Sequence, residues 1–408
     1  MTPAINGRNP MAVVRLGPGY RRLWSATMLA NLGDGVRNAA LPLLAAALTS
    51  DPVWVAGVAV AANLPWLLCG LIAGAVVDRV DRRRLMVTVD AARMAALGTL
   101  IVAVALDAAS LPLLYVVAFA CGVGETLRDT AASTLVPDLV PPGEYDRANG
   151  RLVNAEVAGN ELIGPPLGGF LFGVAMILPF AANNGMLAVA ALLILALPGV
   201  AVPARTPAGS TIRADIGAGL RWLARHRRLR AVTLLGAVFA FTDAAWFAIL
   251  VLYVGEILGL PPAAYGVLLA AGAVGGLAGG GTAAWLLRKA GRTVTMAGAL
   301  VVAAVAQVVL GLTAVPVLAA VALAGGSFAF GVWNVAAVTL RQQVTPARLL
   351  GRVTSAYRTL AMGAVPVGAL LGGLLAEWQG LRAPLLAGVP VLLLATALGL
   401  PALRDRRA

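Results

Sequence analysis

The sequence predicts an all-α polytopic membrane protein with twelve transmembrane helices in two pseudo-symmetric six-helix bundles. Three observations lead to this prediction. The chain of 408 residues is 60% hydrophobic and only 12% charged, and its mean hydropathy of +0.87 is far above that of a soluble domain. The apolar residues form long runs separated by short charged loops. The second half of the chain also repeats features of the first.

The apolar runs are long enough to cross a bilayer as helices, which requires about 20 residues each. Backbone polar groups in hydrocarbon must bond within their own segment, and the runs lack the polar–apolar alternation of membrane strands. We therefore predict helices at 24–48, 54–78, 85–106, 111–134, 148–172, 177–199, 231–255, 264–287, 294–314, 316–340, 350–376 and 384–403.

The basic residues predict the orientation, because cytoplasmic loops of membrane proteins collect positive charge. Nearly all of the 31 basic residues lie in alternate loops, on the side that also holds both termini, which are therefore expected in the cytoplasm. Only Arg382 falls in a predicted outer loop, and Arg37 and Arg93 fall within predicted helices. The net charge of +13 is thus a topology signal. Basic residues divided among short loops form no continuous groove, so no nucleic-acid partner is expected.

Little in the sequence favours an enzyme, a metal site or a cofactor. Cys69 and Cys121 fall within predicted helices and are expected to be small buried apolar residues rather than a disulfide or metal framework. His226, the single histidine, lies in a basic patch, which favours a solvated or lipid-facing residue over a proton relay. The chain has neither an H-E-x-x-H nor a G-x-x-x-x-G-K-[ST] motif, so a polytopic membrane enzyme is a disfavoured alternative and ATP hydrolysis is not expected.

An internal repeat predicts the domain organisation. Residues in and just after the first two predicted helices have counterparts in the second half, always the same number of residues later. The pairs are Asp34 and Asp243, Gly57 and Gly266, and Arg79 and Arg288. Such a duplication is typical of transporters, whose site lies between the halves near the membrane midplane. We predict an N-terminal bundle at 1–199, a cytoplasmic linker with an amphipathic helix at 200–230, and a C-terminal bundle at 231–408.

The most specific motif is GAVVDRVDRRR, Gly74 to Arg84, at the inner end of the second predicted helix. It resembles the G-x-x-x-D-R-x-G-R-R loop of the major facilitator superfamily, with Asp81 in place of the second glycine. The resemblance extends over most of the chain, and segments such as LGDGVRNAALPLL and LVPDLVPPGEYDRANGRL look like the bacterial exporter branch that includes siderophore and macrolide efflux proteins. It implies the major facilitator fold and the bacterial inner membrane.

In that superfamily the acidic residue of the motif and its arginines form a cytoplasmic latch. The resemblance implies a latch here, formed by Gly74, Asp78, Arg79, Arg82 and Arg83, with Glu125, Arg128 and Asp129 of the fourth predicted helix in the same network. Asp78 would face the start of the eleventh predicted helix, where the helix dipole favours an anion. The alternative is a basic cluster that only holds the loop inside, which leaves Asp78 unexplained. The matching loop LLRKAGR has no acidic residue, so the latch is expected on one side only.

The fifth predicted helix carries GPPLGG, with Gly164, Pro165, Gly168 and Gly169. This stretch resembles the G-P-x-x-G-G signature of proton-coupled drug antiporters, although Asn160 stands where the signature usually has a glycine. The alternative is close helix packing, since glycines four residues apart let helix backbones approach. The two interpretations are compatible, because the superfamily resemblance places helix pairs 2/11 and 5/8 along the seam between the halves.

Ionisable residues deep in a membrane helix are costly and mark candidate functional sites. Asp34 lies near the middle of the first predicted helix, Asp243 near the middle of the seventh and Glu161 deep in the fifth. We expect a proton-coupling or cavity-lining set of Asp34, Arg37, Glu161, Asp243, Asn31, Asn63, Asn160 and Asn334. The alternative for Asp34 is a structural ion pair with Arg37, one helical turn later.

These features predict a secondary active transporter that exports a small molecule, such as a drug, a siderophore or a secondary metabolite, by proton antiport with alternating access. An importer or a lipid-handling transporter of the same fold is the alternative. The expected partners are the small-molecule substrate, protons and the lipid bilayer, and one chain has both halves and is expected to function as a monomer.

Overall fold

The computed structural model describes residues 17–77, 79–141, 144–197 and 220–403. Helices dominate this part of the chain, and it contains no strand. The helices are α1 Pro18–Leu48, α2 Pro52–Val77, α3 Arg82–Ala105, α4 Leu111–Leu139, α5 Tyr145–Glu156, α6 Gly164–Val174, α7 Leu178–Leu195, α8 Arg227–Phe247, α9 Leu250–Leu252, α10 Pro262–Leu312, α11 Pro316–Val344, α12 Ala347–Gln379 and α13 Ala383–Leu403. Two π-helical segments, Val157–Ile163 and Tyr253–Ile257, follow α5 and α9. The all-α membrane fold is therefore as predicted.

Nine helices of the described ranges are long and apolar enough to cross a membrane. Three features separate this count from the twelve predicted spans. The helix α1 carries several charged residues, the fifth span is divided by a π-helical segment, and α10 covers two predicted spans in 51 residues. The exact number of twelve spans stays a prediction.

Glycine and proline set several helix boundaries. Gly291 interrupts α10 with φ 74 and ψ 164, between the two predicted spans that this helix covers. An L-residue with a side chain rarely adopts this positive φ, so glycine allows the chain to turn there. Asp81 accepts a hydrogen bond from the Arg84 backbone N–H at 3.0 Å, and so caps the start of α3. This role explains why Asp81 replaces the glycine usual in the superfamily motif.

The π-helical segment Val157–Ile163 precedes two consecutive prolines, Pro165 and Pro166, at the start of α6. Proline has no backbone N–H, so the carbonyl groups of the preceding turn cannot all form ordinary helical hydrogen bonds. Widening to a π-helix is a known response to such a break, and π-helical turns often occur at functional sites. Here the segment positions Asn160 and Glu161.

Glycines bring helices within each half into close contact. A methyl group on Gly164 would lie 2.6 Å from the Cα of Gly35 in α1, and one on Gly168 would collide with the Val36 carbonyl oxygen. In the second half, Gly368 and Gly372 of α12 lie in the same way against α8. Two glycines of the GPPLGG stretch, Gly164 and Gly168, therefore pack against α1 of the same half, and the repeat seen in the sequence is also a repeat of helix packing.

Two close contacts between the halves lie near the predicted outer end. A methyl group on Gly169 of α6 would lie 3.0 Å from the backbone nitrogen of Gly266 in α10, and one on Gly373 of α12 would lie 2.8 Å from the Cβ of Ala56 in α2. These are the helix pairs that the superfamily resemblance places along the seam.

The apolar core shows the same asymmetry. One cluster of buried residues joins both halves and includes residues near the predicted outer end, such as Val55, Tyr265 and Ala376. A second cluster contains only residues from after the linker, including Leu235, Trp333 and Tyr357. The halves are thus packed together at the predicted outer end. Because most of the predicted linker lies outside the described residues, the domain boundaries stay predictions.

Candidate functional site

A cavity of about 480 Å³ lies between the two halves of the chain. Its walls come from α1, α2, α4 and the first π-helical segment on one side of the linker, and from α8, α10 and α11 on the other. Four aromatic residues, Trp66, Phe247, Tyr265 and Phe330, line it together with polar groups. A mostly apolar cleft with a few convergent polar groups is typical of small-molecule sites.

Several residues of the predicted coupling set line this cavity, namely Arg37, Asn63, Asn160 and Glu161. Glu161 is exposed there and makes no hydrogen bond or ion pair with any described residue. Asn63 donates a hydrogen bond to the Ala59 carbonyl oxygen at 2.8 Å. Pro165 of the antiporter-like stretch also lines the wall.

Four other members of the predicted set do not line the cavity. Asn31 is buried and donates a hydrogen bond to the Thr27 carbonyl oxygen at 2.9 Å. Asp34 is buried behind the wall. Asp243 lies on α8 one turn before the lining residue Phe247, and Asn334 is exposed one turn beyond Phe330 on α11. The sequence predicts how far along its helix each of these residues lies, but it does not predict which side of the helix faces the cavity.

Asp34 is part of two buried ion pairs. Its Oδ1 lies 2.8 Å from Nη1 of Arg37, one turn later on α1, and it also pairs with Arg93 of α3. The ion pair between Asp34 and Arg37 that helical spacing predicts is therefore present. Arg93 is a second partner, which the sequence did not identify. The only sequence signal for Arg93 was its position inside a predicted helix, where an arginine needs a counter-ion.

The ion pairs extend in both directions from Asp34. Toward the cavity, Nη2 of Arg37 lies 2.7 Å from Oε2 of Glu125. Away from the cavity, Arg93 approaches Oδ1 of Asp90 at 3.9 Å, and Nε of Arg128 binds the same oxygen at 2.8 Å. We call this alternating series of acidic and basic side chains the charge chain; its members are Glu125, Arg37, Asp34, Arg93, Asp90 and Arg128.

The charge chain contains two residues that the resemblance assigns to the latch network. Glu125 binds Arg37 at the cavity, and Arg128 binds Asp90 of α3. Both residues lie on α4, where helical periodicity turns them toward α1 and α3. Because Asp78 lies outside the described residues, their part in the latch stays a prediction. Asp129, the third residue assigned to the latch from α4, forms no ion pair within the described ranges.

A hydrogen-bonded link joins the charge chain to the π-helical segment. Arg37 donates to Oδ1 of Asn38 at 2.9 Å, and Asn38 donates to Oδ1 of Asn160 at 3.0 Å. Asn38 also lines the cavity. Nothing in the sequence singles out Asn38, because an amide next to an arginine is an ordinary helix-surface pattern.

The latch residues are only partly described. Asp78 lies outside the described residues, as does the environment of Gly74 and Gly351. Arg79 is exposed, Arg82 pairs with Asp138 at 2.8 Å, and Arg83 donates to the Leu195 carbonyl oxygen. These two arginines thus contact α4 and α7 of their own half, while the latch itself stays a prediction.

Comparisons with known proteins agree with this architecture. A family profile described as transmembrane secretion effector matches residues 10–405. The chain is 29% identical over 409 residues to the multidrug efflux pump Tap of Mycolicibacterium fortuitum, covering 97% of this chain and 98% of Tap. It is 30% identical over 416 residues to the multidrug efflux pump Tap of Mycobacterium tuberculosis, covering 95% of this chain and 94% of that protein.

Solved structures show the same fold at low sequence identity. The nucleoside transporter NupG has a TM-score of 0.78 at 10% identity, with 95% of this chain and all of that chain (100%) covered. A bacterial homologue of the iron transporter ferroportin in an inward-facing state has a TM-score of 0.73 at 16% identity, with 95% and 99% covered. The chain is a multi-pass membrane transporter and not an enzyme, and it belongs to the transmembrane secretion effector family of the major facilitator superfamily.

Proposed function

We propose that this chain is a secondary exporter that exchanges a neutral or cationic amphiphilic molecule for protons across the bacterial inner membrane. Two bundles, 1–199 and 231–408, rock around the central cavity, the linker 200–230 joins them, and both termini lie in the cytoplasm. The observation that carries this proposal is the cavity itself, which both halves line and which presents carboxylates and aromatic rings.

Efflux is the function that the family and the relatives support. The predicted efflux transporter is confirmed by the match to the secretion effector family and by the two Tap pumps, each similar over nearly the whole chain. A small molecule as the transported partner agrees with these relatives. Export rather than import follows for this chain from the same similarity.

The cavity chemistry supports a neutral or cationic substrate. Among the described lining residues, Arg37 is the only cation, and Asp34 and Glu125 already neutralise it. Glu161 leaves a free carboxylate in the wall. Aromatic rings attract cations through their π faces and bury the apolar part of an amphiphile. An anionic substrate would meet an uncompensated negative charge.

The packing supports alternating access. The halves contact each other through the pairs α2/α12 and α6/α10 at the predicted outer end, which closes the cavity on that side. Among the side chains that the structure describes, the buried apolar residues of the second half form a separate cluster toward the predicted inner side. This arrangement corresponds to an inward-facing state, from which rocking at the two helix pairs opens the outer side.

Two features of the chain support our assignment of the energy source and of the monomeric assembly. Without a nucleotide-binding loop in the sequence, an ion gradient supplies the energy, and we assign this role to protons. One chain provides both walls of the cavity, so a monomer is sufficient for transport.

Uptake of ethidium, a fluorescent lipophilic cation, into inverted membrane vesicles tests this proposal. An exporter that exchanges protons accumulates ethidium in vesicles with an acidic interior, and nigericin, which collapses the pH gradient, abolishes the accumulation. Absence of accumulation, or accumulation only in right-side-out vesicles, would contradict proton-coupled export.

Two variants extend the test to the substrate site. Glu161→Gln removes the free carboxylate and should weaken ethidium affinity at least about tenfold, since a charged contact is worth about 1.5–3 kcal/mol. Glu256→Gln is the matched control, because Glu256 is an exposed glutamate of the other π-helical segment and does not line the cavity. Equal affinities of the two variants would remove Glu161 from the substrate site.

A further inference from the structure

The charge chain has one end at the cavity and the other inside the first bundle. Glu125 and Arg37 line the cavity, whereas the side chains of Asp34 and Asp90 are 3% and 0% exposed and do not line it. A proton or a substrate that arrives through the cavity therefore meets Glu125 before the other carboxylates of the charge chain. The Glu125 side chain is 13% exposed.

The carboxylates of the charge chain also differ in how they are held. Asp34 lies between Arg37 and Arg93, and Asp90 lies between Arg93 and Arg128. Protonation of either would remove the counter-ion shared by two buried arginines, which is unfavourable. Glu125 pairs with Arg37 alone among the described residues.

Protonation of Glu125 leaves its arginine with other partners. Arg37 still has Asp34 at 2.8 Å and the Asn38 side-chain oxygen at 2.9 Å. The buried guanidinium therefore keeps a carboxylate and an amide partner whether Glu125 carries a charge or not. Glu125 is the member of the charge chain that can change its charge with the least disturbance of the others.

Other charged groups surround Glu125 on neighbouring elements. They are Asp34 and Arg37 on α1, Arg93 on α3, Asp129 one turn later on α4, Glu156 at the end of α5 and Glu161 on the π-helical segment. Asp129 and Glu161 have no ion pair with any described residue, so the region has more carboxylates than arginines. This excess favours binding of one positive charge, either a proton or a cationic substrate.

We propose that Glu125, held by Arg37, is the site at which the coupling proton and a cationic substrate compete, in place of Asp34. This inference rests on the proposed proton-coupled export. When the cation enters from the inner side, the O–H bond of the Glu125 carboxyl group breaks, the proton leaves to water, and the carboxylate faces the cation. After the cavity opens outward, a proton from outside binds the carboxylate and the cation departs.

Competition predicts how ethidium binding depends on pH. In purified protein, binding of ethidium should release protons into a weakly buffered solution, and its affinity should rise with pH because fewer protons compete for the site. In Glu125→Gln the proton release should fall, and the affinity should depend less on pH than in the unmodified protein, because Glu161 remains in the wall. Glutamine can still accept a hydrogen bond from Arg37, so folding should be retained.

Transport by the same variant separates coupling from movement. Glu125→Gln should lose ethidium accumulation driven by a pH gradient, while exchange of ethidium across the membrane continues at higher substrate concentration. Glu161→Gln should bind ethidium more weakly and keep both proton release and pH-dependent affinity. Glu125→Asp should restore coupling in part, which a purely structural role would not require.

The outcomes distinguish this inference from the proposed function. Gradient-driven accumulation at the normal rate in Glu125→Gln, or a pH dependence of ethidium affinity equal to that of the unmodified protein, would overturn the role of Glu125 while leaving proton-coupled export intact. Absence of gradient-driven accumulation in the unmodified protein would overturn both. If Glu125→Gln does not fold, the unmodified protein and Glu161→Gln decide, because absence of proton release in the first, or its loss in the second, contradicts the assignment.

Discussion

Arg93 of α3 and Asp34 of α1 form an ion pair whose side chains are only 1% and 3% exposed. Arg37 is a second partner of Asp34, so the aspartate links α1 to α3 through ion pairs. It lies near the middle of a predicted membrane helix, where burial of a charge is most unfavourable. An aspartate that neutralises two buried arginines serves the folded structure. These two ion pairs account for a carboxylate in the middle of the first apolar run.

Asp34→Asn should therefore destabilise the protein rather than uncouple it. The change leaves Arg93 and Arg37 with less compensation, and loss of one partner from a buried pair costs about 3–5 kcal/mol. Thermal unfolding of the purified protein in detergent measures the effect. The exposed Asp107→Asn is the matched control and should unfold like the unmodified protein.

A double change tests the origin of that loss. Asp34→Asn with Arg93→Gln removes the unpaired charge and should recover part of the stability. A stable, well-expressed Asp34→Asn protein with loss of gradient-driven export only would return the coupling role to Asp34.

Gly266→Val should shift the conformational equilibrium toward the outward-open state. A side chain on Gly266 would collide with the Pro165 carbonyl oxygen, in the contact between α10 and α6 that closes the predicted outer end. Labelling of a cysteine placed at Ser327, in the cavity wall, should increase from the outside. Gly281→Val on the same helix meets no atom within 4 Å and should leave the labelling unchanged. Equal labelling of the two variants would contradict the assignment of this contact as the outer closure.

Cysteine labelling in intact cells tests the orientation. In a chain with Cys69 and Cys121 replaced by alanine, cysteines at Asp51, Asp107 and Glu377 should react with an impermeant maleimide. Cysteines at Arg83 and Arg288 should react only after the cells are opened. The reverse pattern would invert the topology.

Asp78→Asn should impair transport while leaving membrane insertion normal. If the latch forms, the charge of Asp78 favours one state through its interaction with a helix terminus, worth about 0.3–2 kcal/mol. Its loss shifts a balanced equilibrium several-fold, which labelling of the inner loops would detect. Asp81→Asn removes a charge from the same loop but keeps an N-cap residue, and should transport normally. Full activity of Asp78→Asn would contradict the latch.

The sequence was sufficient for features that depend on local chemistry. The apolar runs located the helices because backbone groups in a membrane must bond within their own segment. Gly291 and the prolines at helix starts act through their own backbone restrictions. The pairing of Asp34 with Arg37 follows from helical spacing within a single segment.

Side-chain partners on different helices could not be predicted from the sequence in this way. Arg93 and Glu125 reach the Asp34 region because of how α3 and α4 rotate about their axes, which a uniformly apolar helix does not encode. The repeat aligned Asp243 with Asp34, yet Asp243 forms no ion pair with any described residue and is not among the residues that line the cavity. Duplicated positions thus kept their depth in the membrane but not their partners.

Proton movement driven by substrate tests the central claim of coupled export most directly. Purified protein in liposomes, with equal pH on both sides and ethidium loaded inside, should take up protons as ethidium flows outward down its gradient, and a pH-sensitive dye inside should report acidification. Protein-free liposomes with the same ethidium gradient give the background. Acidification above this background, lost in Glu125→Gln while ethidium efflux continues, is the result we predict. Outward flow of ethidium through the unmodified protein without any acidification would contradict proton-coupled export.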